Sequence, residues 1–151
     1  KSNLELAALE HMCSQLIMHL KAEIKAAKTA PDKLKAVFHY YISHVTNPIF
    51  SGGCPILNAS VEIDDTQPDM KHLLNSIMHT FHSSIRKVLD NGIRYHQLVP
   101  DTNTEHFATL IITSLEGAIM MSKLSDDTKY IKQVYNYLIL EMDKKTLQIK
   151  G

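Results

Sequence analysis

No uninterrupted apolar run in these 151 residues comes near the length of a membrane span; Ala118 to Met121 is among the longest. A spanning helix needs about 20 such residues, so the expectation is a soluble, cytoplasmic protein without a membrane partner. No sign of charge prevails either. Sixteen basic and sixteen acidic side chains cancel, leaving no electrostatic footprint for nucleic acid or an anionic lipid surface. Cysteine is scarce: Cys13 and Cys54 sit in apolar surroundings without metal-type spacing, as buried thiols in a reducing compartment do. Strand-like alternation, repeats, low-complexity segments and phosphate-binding glycine loops are all missing. So is a secretory signal, and the chain opens on Lys1 instead of methionine, as a fragment or processed product would.

What the sequence does hold is helix after helix in one domain. Ser2 and Glu5 have capping-box spacing. Behind them Leu6, Leu9, Cys13, Leu16 or Ile17, Leu20 and Ile24 form a stripe running to about Ala27. Thr29-Ala30-Pro31 opens a second helix, with Leu34, Val37, Phe38, Tyr41, Ile42 and Val45 on its buried face and Asn47-Pro48 at its end. After Gly52 and Gly53 a short helix is expected over about Pro55 to Ile63. Asp64 to Pro68 supplies the next helix start, and Asn91-Gly92 its stop, around a stripe from Leu73 or Leu74 to Val88. Thr102 and Glu105 suggest a second capping box, and Ser125-Asp126-Asp127 a cap for the last helix. The reading is all-α: a six-helix bundle with five long helices and one short crossing helix.

Two features go beyond a plain bundle. The fifth helix carries Leu110, Ile111, Ile112, Leu115, Ala118, Ile119, Met120 and Met121, more apolar surface than one buried face needs. Gly117 sits in mid-helix, where glycine costs about 1 kcal/mol against alanine unless close helix approach compensates. Two helices from each of two chains would form a four-helix, two-fold interface. A fully buried central helix in a monomer is the plainer possibility. The second feature is the stretch FSGGCPILNASVEIDDTQPDM, Phe50 to Met70. A short helix crossing long ones leaves a gap, and bundles hold ligands in such gaps. Ordinary core packing would use the same residues.

That stretch resembles the segment after the second helix of the ligand-binding domain in TetR/AcrR-type transcriptional repressors. KSNLELAALEHM is similar to the family's junction into its long connecting helix, and IITSLEGAIMMSKLSDD to its penultimate helix. The resemblance implies that residues 1–151 are an effector-binding and dimerisation domain. The family's N-terminal helix-turn-helix domain would be absent from this chain, so DNA would be contacted only through that missing part. The implied partners are a second copy and a small hydrophobic or aromatic effector, with no cofactor. Binding would tilt the connecting helix and disturb recognition helices that must sit about 34–36 Å apart. By position, the ligand-binding candidates are Cys13, Leu16 and Ile17; Phe38, Tyr41 and Val45; Cys54, Leu57, Asn58 and Val61; Ile77, Met78 and Phe81; and Ile111 and Ser114. Tyr41, Asn58 and Ser114 would orient a polar end. The dimer-interface candidates are Leu110, Gly117, Ala118 and Met121 on the fifth helix and Tyr130, Val134, Tyr137 and Leu138 on the sixth.

Other chemistry reads more weakly. His79 and His82 are neighbours on one helix face, with His72 on the same helix, yet no motif supplies the remaining ligands of a metal site. No HExxH or nucleophile-base arrangement is present, so neither catalytic nor metal residues are assigned. Glu62, Asp64 and Asp65 serve as caps more simply than as acid–base groups. Cys54 would be a redox-sensing thiol only if a helix N-terminus lowered its pKa. The reading is a non-enzymatic regulatory domain; the alternative is a helical protein-interaction module with a solid core and no pocket.

Overall fold

The computed structural model describes residues 2–47, 52–63 and 66–148, Ser2 by its backbone alone. Six helices follow one another: α1 (Ser2–Ala26), α2 (Ala30–Thr46), α3 (Pro55–Glu62), α4 (Pro68–Arg94), α5 (Thr104–Ser125) and α6 (Lys129–Lys145). The Ser2 cap and the Asp64-Asp65 turn lie outside the described side chains.

Local chemistry explains most boundaries. Thr29 Oγ1 accepts the Asp32 amide at 3.3 Å, and Pro31 occupies the first turn of α2. The last carbonyls of α1 are not wasted: Lys33 Nζ donates to those of Ile24 and Ala27 at 2.9 and 2.6 Å. Two expected signals act differently. Asn103, not Thr102, caps α5, its Oδ1 accepting the His106 amide at 3.0 Å. Thr102 instead donates its hydroxyl to the Val99 carbonyl at 2.9 Å. Asp127 Oδ1 takes the Lys129 amide at 2.9 Å ahead of α6, whereas Ser125 still belongs to α5.

Gly92 does not stop α4, which runs on to Arg94. A Cβ at Gly92 would lie 2.6 Å from Leu98 Cδ1 and 2.8 Å from Ala30 Cβ. The glycine is there for close approach. The turn is made by His96 at φ 57°, with the Gln97 and Leu98 amides donating back to the Gly92 carbonyl at 2.8 and 3.0 Å. Gln97 Oε1 then accepts the Ala30 amide at 2.7 Å, tying this loop to the start of α2.

Helix α2 is central, packing against α1, α4, α5 and α6, while α3 lies against α1 and α4. Leu34, Phe38, Ile111, Leu115, Ile131, Leu138 and Met142 are at most 1% exposed; each such side chain contributes about 1.5–3 kcal/mol by leaving water. By length and composition alone, α5 could cross a membrane. Scattered polar residues broke its apolar runs in the sequence and hid this. In the fold it is a core helix, burying Phe107, Ala108, Ile111, Ile112, Leu115, Ala118 and Ile119 against its neighbours.

Candidate functional site

The break before α3 is a built feature. Gly53 adopts φ 87°, where a side chain would be strained. Its neighbour Gly52 offers a carbonyl that accepts Asn58 Nδ2 at 2.7 Å and also Lys123 Nζ from α5. The chain thus turns sharply, is pinned to α5, and starts α3 at Pro55.

Beyond this turn three helices line an open-sided cavity of about 440 Å³, within the usual range for small-molecule sites. From α3 and its end come Ile56, Leu57, Ser60 and Ile63; from α4 come Lys71, Leu74, Asn75 and Met78; from α5 come Ile112, Thr113 and Glu116. The wall is mostly apolar, with a few polar groups.

Glu116 is the unusual member. Its Oε1 accepts the Tyr41 hydroxyl at 3.0 Å and the Cys54 thiol at 3.5 Å. Its Oε2 is buried and has no hydrogen-bond partner. Burial raises the carboxyl pKa, and the bonds from Cys54 and Tyr41 pull it partly back. Both donors stay protonated. Burial, then the nearby Glu116 charge, push the Cys54 thiol up to about 12 and Tyr41 well above the usual phenol value. Cys54 therefore lacks the lowered pKa that a redox-sensing thiol would need: desolvation outweighs the amides of Ile56 and Leu57 that would favour a thiolate.

A second, narrower space of about 160 Å³ lies among α1, α2 and α4, lined in part by Ile17, Leu20, Val37 and Phe81. The Phe81 ring stacks on Tyr41 with centroids 6.3 Å apart and planes at 15°. The Tyr41–Phe81 pair therefore links the smaller space to the Glu116 carboxyl.

The ligand-binding candidates scatter accordingly. Leu57 and Met78 line the larger cavity, and Ile17 and Phe81 the smaller. Tyr41 and Cys54 touch the larger cavity's wall through Glu116. Cys13, Phe38 and Ile111 are wholly buried core, and Leu16 and Ile77 pack on that core. Val45 faces a third space with His44 and Ser122. The Asn58 amide is committed to Gly52, Val61 is 76% exposed on the outside of α3, and half-buried Ser114 lines neither cavity. Glu116 was missed. Its signal was present: the one charged residue between His106 and Lys123 on α5, flanked by Leu115 and Gly117.

On the outer side of α5 and α6, Leu110, Met120, Met121, Leu124, Tyr137 and Leu140 are 44–84% exposed. Nothing lies within 4 Å of where a Gly117 Cβ would stand. Among the dimer candidates, Tyr130 and Val134 are half-buried beside this stripe. Ala118 and Leu138, at 3% and 1%, are instead taken up by the chain's own core. His82 Nε2 sits 3.0 Å from Thr109 Oγ1 and 3.9 Å from Glu105. No cluster of metal-ligating side chains forms among the described residues.

Fold and site together define a class: an all-helical domain with a largely apolar, open-sided cavity and an apolar stripe on its last two helices. The family described as "Tetracyclin repressor-like, C-terminal domain" matches residues 30–138. The chain belongs to the TetR family of transcriptional regulators, whose members are generally non-enzymatic. Among solved structures, a TetR transcriptional regulator from Chloroflexus aurantiacus is similar at a TM-score of 0.90 and 25% identity, over 95% of this chain and 73% of that one. A TetR-family regulator from Cytophaga hutchinsonii follows at 0.84 and 23%, over 95% and 72%. Reduced E. coli NemR shares the fold at 0.75 and 16%, over 97% and 75%. No curated protein gives a significant match.

Proposed function

We propose that this chain is the effector-binding and dimerisation domain of a TetR-family repressor that leaves DNA when a small hydrophobic molecule binds. The observation that carries the reading is the cavity of about 440 Å³ between α3, α4 and α5. An interaction module with a solid core would have no use for it. Homodimerisation through α5 and α6 is supported by the exposed stripe from Leu110 to Leu124 and by Tyr137 and Leu140. DNA is contacted by a helix-turn-helix domain outside these residues, in the cytoplasm.

The cleft between α4 and α1 offers a route from cavity to DNA. The first turns of α4, which carry Lys71 and Leu74, lie beside the first turns of α1 across a cleft lined by Asn3, Glu5, Leu6, Pro68 and Met70. A ligand that pushes on α4 shifts the start of α1. It acts only by binding the DNA-free arrangement better than the DNA-bound one. A preference of about 1–3 kcal/mol changes operator affinity about 5- to 150-fold.

Nile red, a neutral dye that brightens in apolar surroundings, tests the cavity. One saturable site per chain is expected, lost in Thr113→Trp, which fills the cavity, and kept in Val61→Ala, which lies outside it. Binding that survives Thr113→Trp would contradict the proposal.

A further inference from the structure

We propose that the cavity is built for an organic amine, its ammonium paired with the Glu116 carboxylate and its apolar body against Leu57, Leu74, Met78 and Ile112. The inference deepens the reading of the cavity as an effector site and rests on it. Its basis is an incomplete polar network. A carboxylate can accept about four hydrogen bonds; Glu116 receives two, both on Oε1, and Oε2 receives none. Both donors are neutral groups, so neither offsets a buried negative charge. Burying an ion without a counter-charge is unfavourable, and a cation is what relieves it.

Among the described residues no cationic side chain is paired with Glu116. Lys71 lines the cavity but is solvent-exposed and makes no ion pair among the described residues. Lys123 is engaged with the Gly52 carbonyl. A ligand ammonium would supply both the missing donor and the missing charge. Rotation of the carboxyl about its last torsion, which is soft, exposes either oxygen to the cavity while Tyr41 and Cys54 keep the other. A neutral hydroxyl would give the hydrogen bond without the charge, and an anion would be repelled. The volume of about 440 Å³ accommodates a bicyclic aromatic body.

The probes are 2-naphthylmethylamine, 2-naphthylmethanol and 2-naphthoate, titrated calorimetrically into the whole chain. The amine is expected to bind about tenfold or more tighter than the alcohol, and the naphthoate weakest. Glu116→Gln keeps an acceptor for Tyr41 and Cys54; it should bring amine and alcohol to within about threefold while alcohol affinity stays near wild type, which also shows that the variant folds. Thr113→Lys leaves Glu116 intact and places a competing cation one turn earlier on α5. It should erase the amine preference as well. Alcohol or naphthoate binding as tightly as amine, or a preference that survives both substitutions, overturns the inference. Saturable alcohol binding without amine preference would leave the effector cavity standing and remove only its charge selectivity. Failure of all three probes and of Nile red would overturn both.

Discussion

Two regions of this interior use the same kinds of side chain to opposite ends. Where α2, α5 and α6 meet, Leu34, Phe38, Ile111, Leu115, Ile131, Leu138 and Met142 leave no room, none being more than 1% exposed. Where α3, α4 and α5 meet, Ile56, Leu57, Leu74, Met78 and Ile112 leave about 440 Å³ open. The helices differ more than the residues do. In the packed region long helices run beside one another with apolar positions repeating every three or four residues, so side chains interdigitate along many turns. In the open region the third wall is α3, only eight residues long. It supplies two turns of side chains where a full helix would supply five. The inner face of α5 also changes there from aliphatic to Glu116, whose carboxyl is held away from hydrocarbon by Tyr41 and Cys54. A cavity in a bundle needs a short wall and a reason not to collapse. This one has both.

The contrast can be broken first by stability. Phe38→Ala in the packed region should cost about 3–5 kcal/mol in chemical denaturation. Met78→Ala, at the edge of space already open, should cost less than about 2 kcal/mol. Equal losses would mean that the two regions are packed alike. Next comes Gly92→Ala, which forces a methyl between Ala30 and Leu98. It should destabilise by about 1–3 kcal/mol, although alanine is the better helix former. A stabilised variant would show that the contact yields.

Titration sharpens the comparison further. Burial raises the Glu116 pKa above its ordinary value of 4.5. Below that value the carboxyl is protonated whether folded or unfolded and has no differential effect. As pH rises from 4.5 through the raised folded value, the unfolded chain ionises more readily and stability falls. Glu116→Gln removes the effect, so its melting temperature should exceed wild type by a margin that grows between pH 4.5 and neutrality. A margin independent of pH would place the carboxyl in water. The smallest effect belongs to the surface of the packed region. Lys35→Ala breaks a half-exposed ion pair with Asp143 and should cost no more than about 1 kcal/mol, seen as a slight shift in the denaturation midpoint.

The order of helices was legible because caps and stripes are local. Thr29 and Pro31 announce α2, and Pro55 announces α3, in words the backbone obeys directly. Gly92 misled because a glycine that ends a helix and one that admits a neighbour look alike until Leu98 is seen against it. The cavity was legible as a place and poorly legible as a set of residues. An eight-residue helix holds too few turns for periodicity to fix its rotation. Apolar Val61 was therefore expected inside, while Ser60 and Ile63 are the residues that line the space. Lys71 and Asn75 are solvent-exposed residues that also line the open side of the cavity. Glu116 needed knowledge that α5 is enclosed on the side where Glu116 lies, and only the partners Tyr41 and Cys54, 75 and 62 positions away, reveal it. On α5 and α6 the apolar excess was clear, but Ala118 and Leu138 could not be told from their outward neighbours without the packing.

Native mass spectrometry of the purified chain, followed by denaturing release of whatever is bound, tests the central claim most directly. The account predicts a dimer carrying one small apolar molecule per chain, lost on Thr113→Trp without loss of the dimer. An unliganded monomer would contradict it.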